Sequence, residues 1–212
     1  MRPKLTPTKN IIRMKRNMHL ITTAIIILTS IFTLKCQNQN NMEKSEFKKI
    51  TYKEFDEEAI KLIGHDWMLV TAGKQNDFNM MTAAWGGLGW LWNRPVAYIF
   101  VRPQRHTFTF TEREDYFTLT FFEESYRSIL MEMGTVSGRD FDKMNYEHLT
   151  PFVTEYGSIA FSEARIVLEC KKLFATTLNP DDFTDISIDK EIYPAKDYHI
   201  MYIGEIKNIF VK

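Results

Sequence analysis

Short runs of β-branched and aromatic residues, each closed by Gly, Asn, Asp or Pro, dominate the chain from Met68 onward. This pattern predicts strands over 68–72, 79–85, 96–101 and 116–122, and longer ones over 164–177 and 198–211. Phe55, Ala59, Ile60, Leu62 and Ile63 recur at helical spacing behind early acidic residues, which predicts an amphipathic helix over 53–63. Shorter helices are expected at 107–113 and 125–132. Many close strands with few helical insertions imply a mainly β, α+β domain, a barrel decorated by helices rather than a doubly wound sheet.

The first 41 residues follow a different pattern. Arg13, Lys15 and Arg16 precede an apolar stretch from Leu20 to Leu34, too short to span a bilayer comfortably but suited to the core of an export signal. Cys36 and a Gln/Asn tract, residues 37–41, follow. A cysteine so placed resembles the lipidation site of a bacterial lipoprotein, although Lys35 and Thr33 stand where that signal usually has a small residue and Leu. The alternative is a cleaved, soluble secreted form in which Cys36 has no role. The expected organisation is a signal region over 1–36, a tether over 37–50 and one domain over 51–212, exported from a bacterial cytoplasm and anchored by lipid or periplasmic.

Charge changes the picture once the leader is set aside. The 212 residues balance at 27 basic and 27 acidic, but residues 1–41 hold seven Lys/Arg and no carboxylate, so the remainder carries 20 basic against 27 acidic. A net of −7 gives no footprint for nucleic acid or an anionic membrane, and an anionic ligand must meet a local cationic cluster. The two cysteines, Cys36 and Cys170, offer no disulfide framework, and Cys170 in an apolar run reads as a buried, inert thiol. Neither G-x-G-x-x-G nor a P-loop is present, and His19, His65 and His148 show no metal-ligand spacing. The charges of Lys171 and Lys172 are expected to be solvated.

Three polar segments carry candidate chemistry. In Asn79 to Gly87, small residues around Thr82 and two glycines let backbone N–H groups approach a planar ligand, or make a tight turn. In Val101 to Phe108, Arg102 and Arg105 stand beside a helix start with Thr107 near its cap, a setting for phosphate, or for two solvated arginines. The loop Met133 to Lys143 has two glycines, two hydroxyls and two cations, and either wraps a ligand edge or simply connects elements.

In number and order these segments, with residues 66–73, 163–171 and 199–205, resemble flavoredoxin and the wider flavin-reductase-like family over about residues 53–211. The resemblance implies an FMN-binding split β-barrel. It places Thr82, Ala83, Ala84 and Trp85 against the isoalloxazine, Arg102, Gln104, Arg105 and Thr107 at the ribityl phosphate, and Ser137, Gly138 and Arg139 over the cofactor. His199 resembles a histidine near flavin and nicotinamide, with a backbone-bonded strand-end histidine as the alternative. Ala84 replaces a common serine and His106 a common tyrosine; neither removes the phosphate clamp. Trp85, Trp90 and Trp92 can stack on a flavin, Trp90 and Trp92 more often serving as core or dimer anchors.

The resemblance implies an FMN-dependent oxidoreductase, with NAD(P)H as a possible donor and a homodimer as the expected assembly. A flavin-binding electron carrier reduced by a redox-protein partner is the second hypothesis, favoured by export. Met1 to Arg13 lengthens the leader beyond what a signal needs, so Met14 is the expected start. Native cells should yield no peptide from residues 1–13, and finding one places the start at Met1.

Overall fold

A computed structural model describes residues 46–212 of the protein. The expected export signal, Cys36 and most of the expected tether lie outside the described residues.

Ten strands are described: β1 (Lys48–Ile50), β2 (Met68–Lys74), β3 (Asp77–Ala83), β4 (Gly86–Leu91), β5 (Arg94–Val101), β6 (Tyr116–Phe121), β7 (Pro151–Val153), β8 (Ile159–Phe161), β9 (Ile166–Thr177) and β10 (Ile200–Val211). Eight of them form one antiparallel sheet in the order β3-β2-β6-β9-β10-β5-β4, with β1 beside the far end of β10. The remaining β7 and β8 pair as a hairpin. β3 and β4 lie at opposite ends of this path, yet only Ala84 and Trp85 separate them in sequence. Ala83 and Gly86 therefore lie within about 11 Å of each other, and the sheet must curl until its edges meet there. The result is a split β-barrel.

Strand alternation distributes the apolar residues between two cores. Met68, Val70 and Ala72 of β2 point into the barrel with Leu119, Leu168 and Tyr202. Leu69 points outward to a second cluster, where Leu130 and Met133 of α2 (Arg127–Thr135) meet Phe152, Ile159 and Phe161 of the β7–β8 hairpin. This double coverage explains why β2 is buried from Met68 to Gly73 rather than at alternate positions. Glu169 of β9 is fully buried between the layers, where it accepts hydrogen bonds from Thr154 Oγ1, Tyr156 N at 2.9 Å and Asn208 Nδ2 at 2.7 Å. Those donors replace the water the carboxylate gave up.

Several expectations change for local reasons. The helix expected over 53–63 is confined to a helical segment that includes the π-helical turn Lys61–Asp66, because the Glu54 carboxylate accepts from Thr51 N and Oγ1, both at 2.8 Å, and holds a turn instead. β4 lacks a counterpart among the expected strands, since three of its six residues are glycine. The end of the tether, residues 48–50, forms β1. The hairpin β7–β8 and helix α3 (Ile186–Ile192) are also additional to the expected elements. Lys172 is not simply solvated: its Nζ donates to Thr111 O at 2.6 Å and Glu112 O at 2.9 Å, capping the last turn of α1 (His106–Arg113).

β10 bulges between Ile203 and Gly204 and again between Ile206 and Asn208, which lets it bend between the two halves of the barrel. At Gly204 a Cβ would lie 2.6 Å from Phe117 Cζ and 3.0 Å from Cys170 Cβ. Gly204→Ala should therefore lower stability by about 1–3 kcal/mol through overpacking. A urea midpoint equal to that of the wild type would show that the barrel interior relaxes around the methyl group.

Candidate functional site

β5 ends at Val101 and Pro103 follows, a residue with no N–H for a ladder. The chain turns, Arg105 N donating to Arg102 O at 3.0 Å, and enters α1. Thr107, in the first turn of that helix, is buried beneath Asn79 of β3. With the Asn79 amide oxygen turned to the helix, it accepts from Thr107 N at 3.2 Å and Thr107 Oγ1 at 2.7 Å, the orientation that matches donors to acceptors. One end of α1 is thereby tied to the barrel edge.

Helix α2 reaches the same edge. Thr82 Oγ1 donates to Leu130 O at 2.5 Å, and Arg105 Nη1 donates to Gly134 O at 2.7 Å. Lys143 comes in behind them, 4% exposed, its ammonium donating to Met80 O at 2.9 Å and Met133 O at 2.8 Å. Gly138 lies so close that a Cβ there would stand 2.0 Å from the Asn79 side-chain amide and 2.9 Å from His106 Cδ2. Arg139 Nη1 donates to Gln104 O at 2.8 Å and fastens this loop to the 102–105 turn.

Two hollows of about 250 Å³ each result at the barrel seam, sharing Met81, Arg102 and Arg105. The first is lined by residues 81–85, Phe100, Arg102, Arg105 and His199. The second is lined by Asn79, Gln104, His106, Thr107, residues 135–138 and Lys143 in addition to the shared residues. Jointly they fall in the size class of cofactor sites. One hollow has an aromatic wall, and the other a cationic one.

Electrostatics separate the cations by function. Arg102 is already paired: Nη1 donates to Asp197 Oδ2 at 2.8 Å and Nη2 to Ile192 O at 2.9 Å, while Gln104 Nε2 also donates to Asp197. Among the described residues, Arg105 and Lys143 have no carboxylate partner. Burial, and then the charge of Arg105, lower the Lys143 ammonium to about 8. Burial likewise lowers His106, helped by Arg139 and Lys143, and its Nδ1 is buried without a hydrogen-bond partner. Such a cluster of like charges is costly by itself and is relieved by an anion.

The residues expected to form the site are thus placed as follows. Thr82, Ala83, Ala84, Trp85, Arg102, Arg105 and His199 share the first hollow; Gln104, Thr107, Ser137 and Gly138 meet Arg102 and Arg105 in the second. Arg139 stands outside both, exposed. The hydroxyls of Thr82 and Thr107, and the Thr107 N–H, already bond to protein. Trp90 and Trp92 do not enter the core: both are about half exposed, Trp90 against Tyr52 at 5.2 Å and Trp92 against Phe174 at 6.4 Å. Lys143, Asn79, Phe100 and Tyr193 are additions. Lys143 was visible as a cation closing the 133–143 loop, but no spacing signals its burial.

A split β-barrel with a cationic cleft at its seam is the class that these features define. The model of the flavin reductase like domain matches residues 60–212, and the chain belongs to that family. Solved structures with the same fold include flavoredoxin from Desulfovibrio vulgaris (Miyazaki F), 22% identical with a TM-score of 0.54, covering 69% of each chain. Flavoredoxin from Methanosarcina acetivorans is 20% identical with a TM-score of 0.54, covering 69% of this chain and 68% of that one. An FMN-binding domain of a flavin reductases-like enzyme from Shewanella baltica is 17% identical with a TM-score of 0.56, covering 78% and 76%. No curated protein sequence matches the chain significantly.

His199 makes the site sensitive to acid. Burial and then the Arg102 charge push its imidazole down to about 4, against an ordinary value of 6.5. Between those values the unfolded chain is protonated at His199 and the folded one is not, so stability is full above pH 6.5 and falls as the pH drops toward 4. His199→Asn should remove about 2–3 kcal/mol of that decline. Urea midpoints of the two proteins with the same slope between pH 7 and 4 would place the buried proton acceptor elsewhere.

Proposed function

We propose that the protein binds FMN across the two hollows and works as a flavin-dependent oxidoreductase. The observation that carries this reading is the pairing of an aromatic, backbone-lined hollow with a buried cationic one in which, among the described residues, Arg105 and Lys143 have no acidic partner. A planar ring fits the first, and a dianionic phosphate fits the second. Arg105 and Lys143 would hold the phosphate, with His106 lining the same hollow. Residues 82–85 would border the ring, and Trp85 with His199 would wall it, their rings 5.2 Å apart. Arg102 orders the cleft through Asp197 and is a weaker phosphate ligand than Arg105, because its charge is already matched.

When bound, the flavin supplies the hydride and electron chemistry. The protein orients it, excludes water from the phosphate and keeps His199 unprotonated at neutral pH. NAD(P)H is the proposed donor for the reductase reading. The proposed export leader favours the second reading, a carrier reduced by a redox-protein partner, because nicotinamide cofactors are cytoplasmic. Visible spectra followed by NAD(P)H consumption separate the two. We also propose a homodimer, since Tyr52, Trp85, Trp90, Trp92 and Phe174 leave an aromatic face half exposed.

Arg105→Ala and Lys143→Met should each weaken FMN by about 10- to 100-fold while changing riboflavin less than about twofold, since the lost bond is charge-assisted and goes to the phosphate. The wild-type preference for FMN over riboflavin should decline as the pH is raised above about 8, where Lys143 begins to lose its proton. Equal weakening of both flavins, or no yellow complex at all, overturns the assignment.

A further inference from the structure

Tyr193 lies at the end of α3, in the segment that joins β9 to β10. It is 3% exposed, and its hydroxyl is 2.8 Å from His199 Nδ1. The peptide preceding it is held by Arg102, which donates to Ile192 O at 2.9 Å and sits 5.3 Å over the Tyr193 ring. His199, in turn, is boxed by rings: Trp85 at 5.2 Å, Tyr193 at 5.6 Å and Phe100 at 6.4 Å. Neither side chain has freedom to choose another partner.

The proton count of this pair has one economical solution. If Nδ1 carried the imidazole proton and donated it, the phenol's own proton would be buried without an acceptor, because His199 is the only hydrogen-bond partner of that hydroxyl among the described residues. If instead the phenol donates to Nδ1, every proton is matched and the imidazole proton resides on Nε2. We infer that Tyr193 is a positioning residue that fixes His199 as a neutral Nε2–H donor in the cleft, ready for an uncharged acceptor such as a carbonyl oxygen of a flavin ring. The flavin part of this inference rests on the FMN reading above; the tautomer does not.

The charges facing His199 agree with a neutral ring. Arg102 and Arg105 approach from the β5–α1 turn and oppose protonation, while Asp197, on the segment leading into β10, favours it but is already engaged by Arg102 and Gln104. His199 therefore offers a hydrogen bond without serving as a proton source at neutral pH. A flavin ring edge accepts such a bond whether or not a phosphate is attached. The contribution should consequently be the same for FMN and riboflavin, unlike that of Arg105 or Lys143.

The test is nitrogen NMR of the imidazoles in the flavin-free domain, followed by flavin titration. In the wild type, His199 Nε2 should resonate as a pyrrole-type nitrogen and Nδ1 as a pyridine-type one, unchanged between about pH 5.5 and 8. Tyr193→Phe keeps the ring packing and should move both resonances toward averaged values as the tautomers exchange. It should also weaken FMN and riboflavin together by about three- to tenfold. A wild-type proton on Nδ1, or unaltered resonances in Tyr193→Phe, overturns the assignment without requiring the variant to bind anything. A loss confined to FMN overturns the placement of the donor at the ring. A locked tautomer in a protein that takes up no flavin leaves Tyr193 in its role and refutes the FMN reading alone.

Discussion

The two residues Ala84 and Trp85 constrain everything else in this molecule. They carry the chain from one terminal strand of the sheet to the other, so the sheet has to curl until β3 and β4 meet. Curling makes an interior, which the apolar face of each strand fills. It also leaves two strand edges side by side with ladder partners on one flank only, and unpaired backbone donors there are available to a ligand. The link that closes the barrel is thus the same link that lines the first hollow. Closure and site are one geometric event.

Around that seam the protein accumulates positive charge that its own acids do not neutralise. Arg102 is matched by Asp197, but among the described residues Arg105 and Lys143 bond only to carbonyl oxygens of β3 and α2. Those carbonyls hold the cations in place without cancelling them. Burial of an ammonium at this position disfavours its charged form, which is the cause of the lowered Lys143 value. The free protein carries this electrostatic strain, and an anion seated between the two groups would relieve it. Lys143 also ties β3 to α2, so the charge that would bind the ligand contributes to the wall that shapes the cleft.

Much of the fold was legible because strand and helix periodicities are local. Strands over 68–72, 96–101, 116–122, 164–177 and 198–211 were marked by β-branched and aromatic residues that sit against one or both cores. β4 was hidden by its glycines, and the expected opening helix was shortened by a side chain bonding its own backbone at Thr51 and Glu54. The burial of β2 on both faces followed from the β7–β8 hairpin and α2 packing outside the barrel, a contact between segments far apart in the chain.

The site divides in the same way. The sequence by itself determined which chemistry was available: the glycines, arginines and hydroxyls of three segments, the order that resembles the flavin-reductase-like family, and the net acidity that made a local cationic cluster necessary. Only the tertiary structure decided how those groups are used. It matched Arg102 to Asp197, turned the Thr82 and Thr107 hydroxyls inward, buried Lys143 beside Arg105 and set Tyr193 against His199. The reason is that a side chain's charge and hydrogen-bonding capacity are written in its identity, whereas its partner, its solvation and therefore its protonation depend on what folding brings within 3 Å of it.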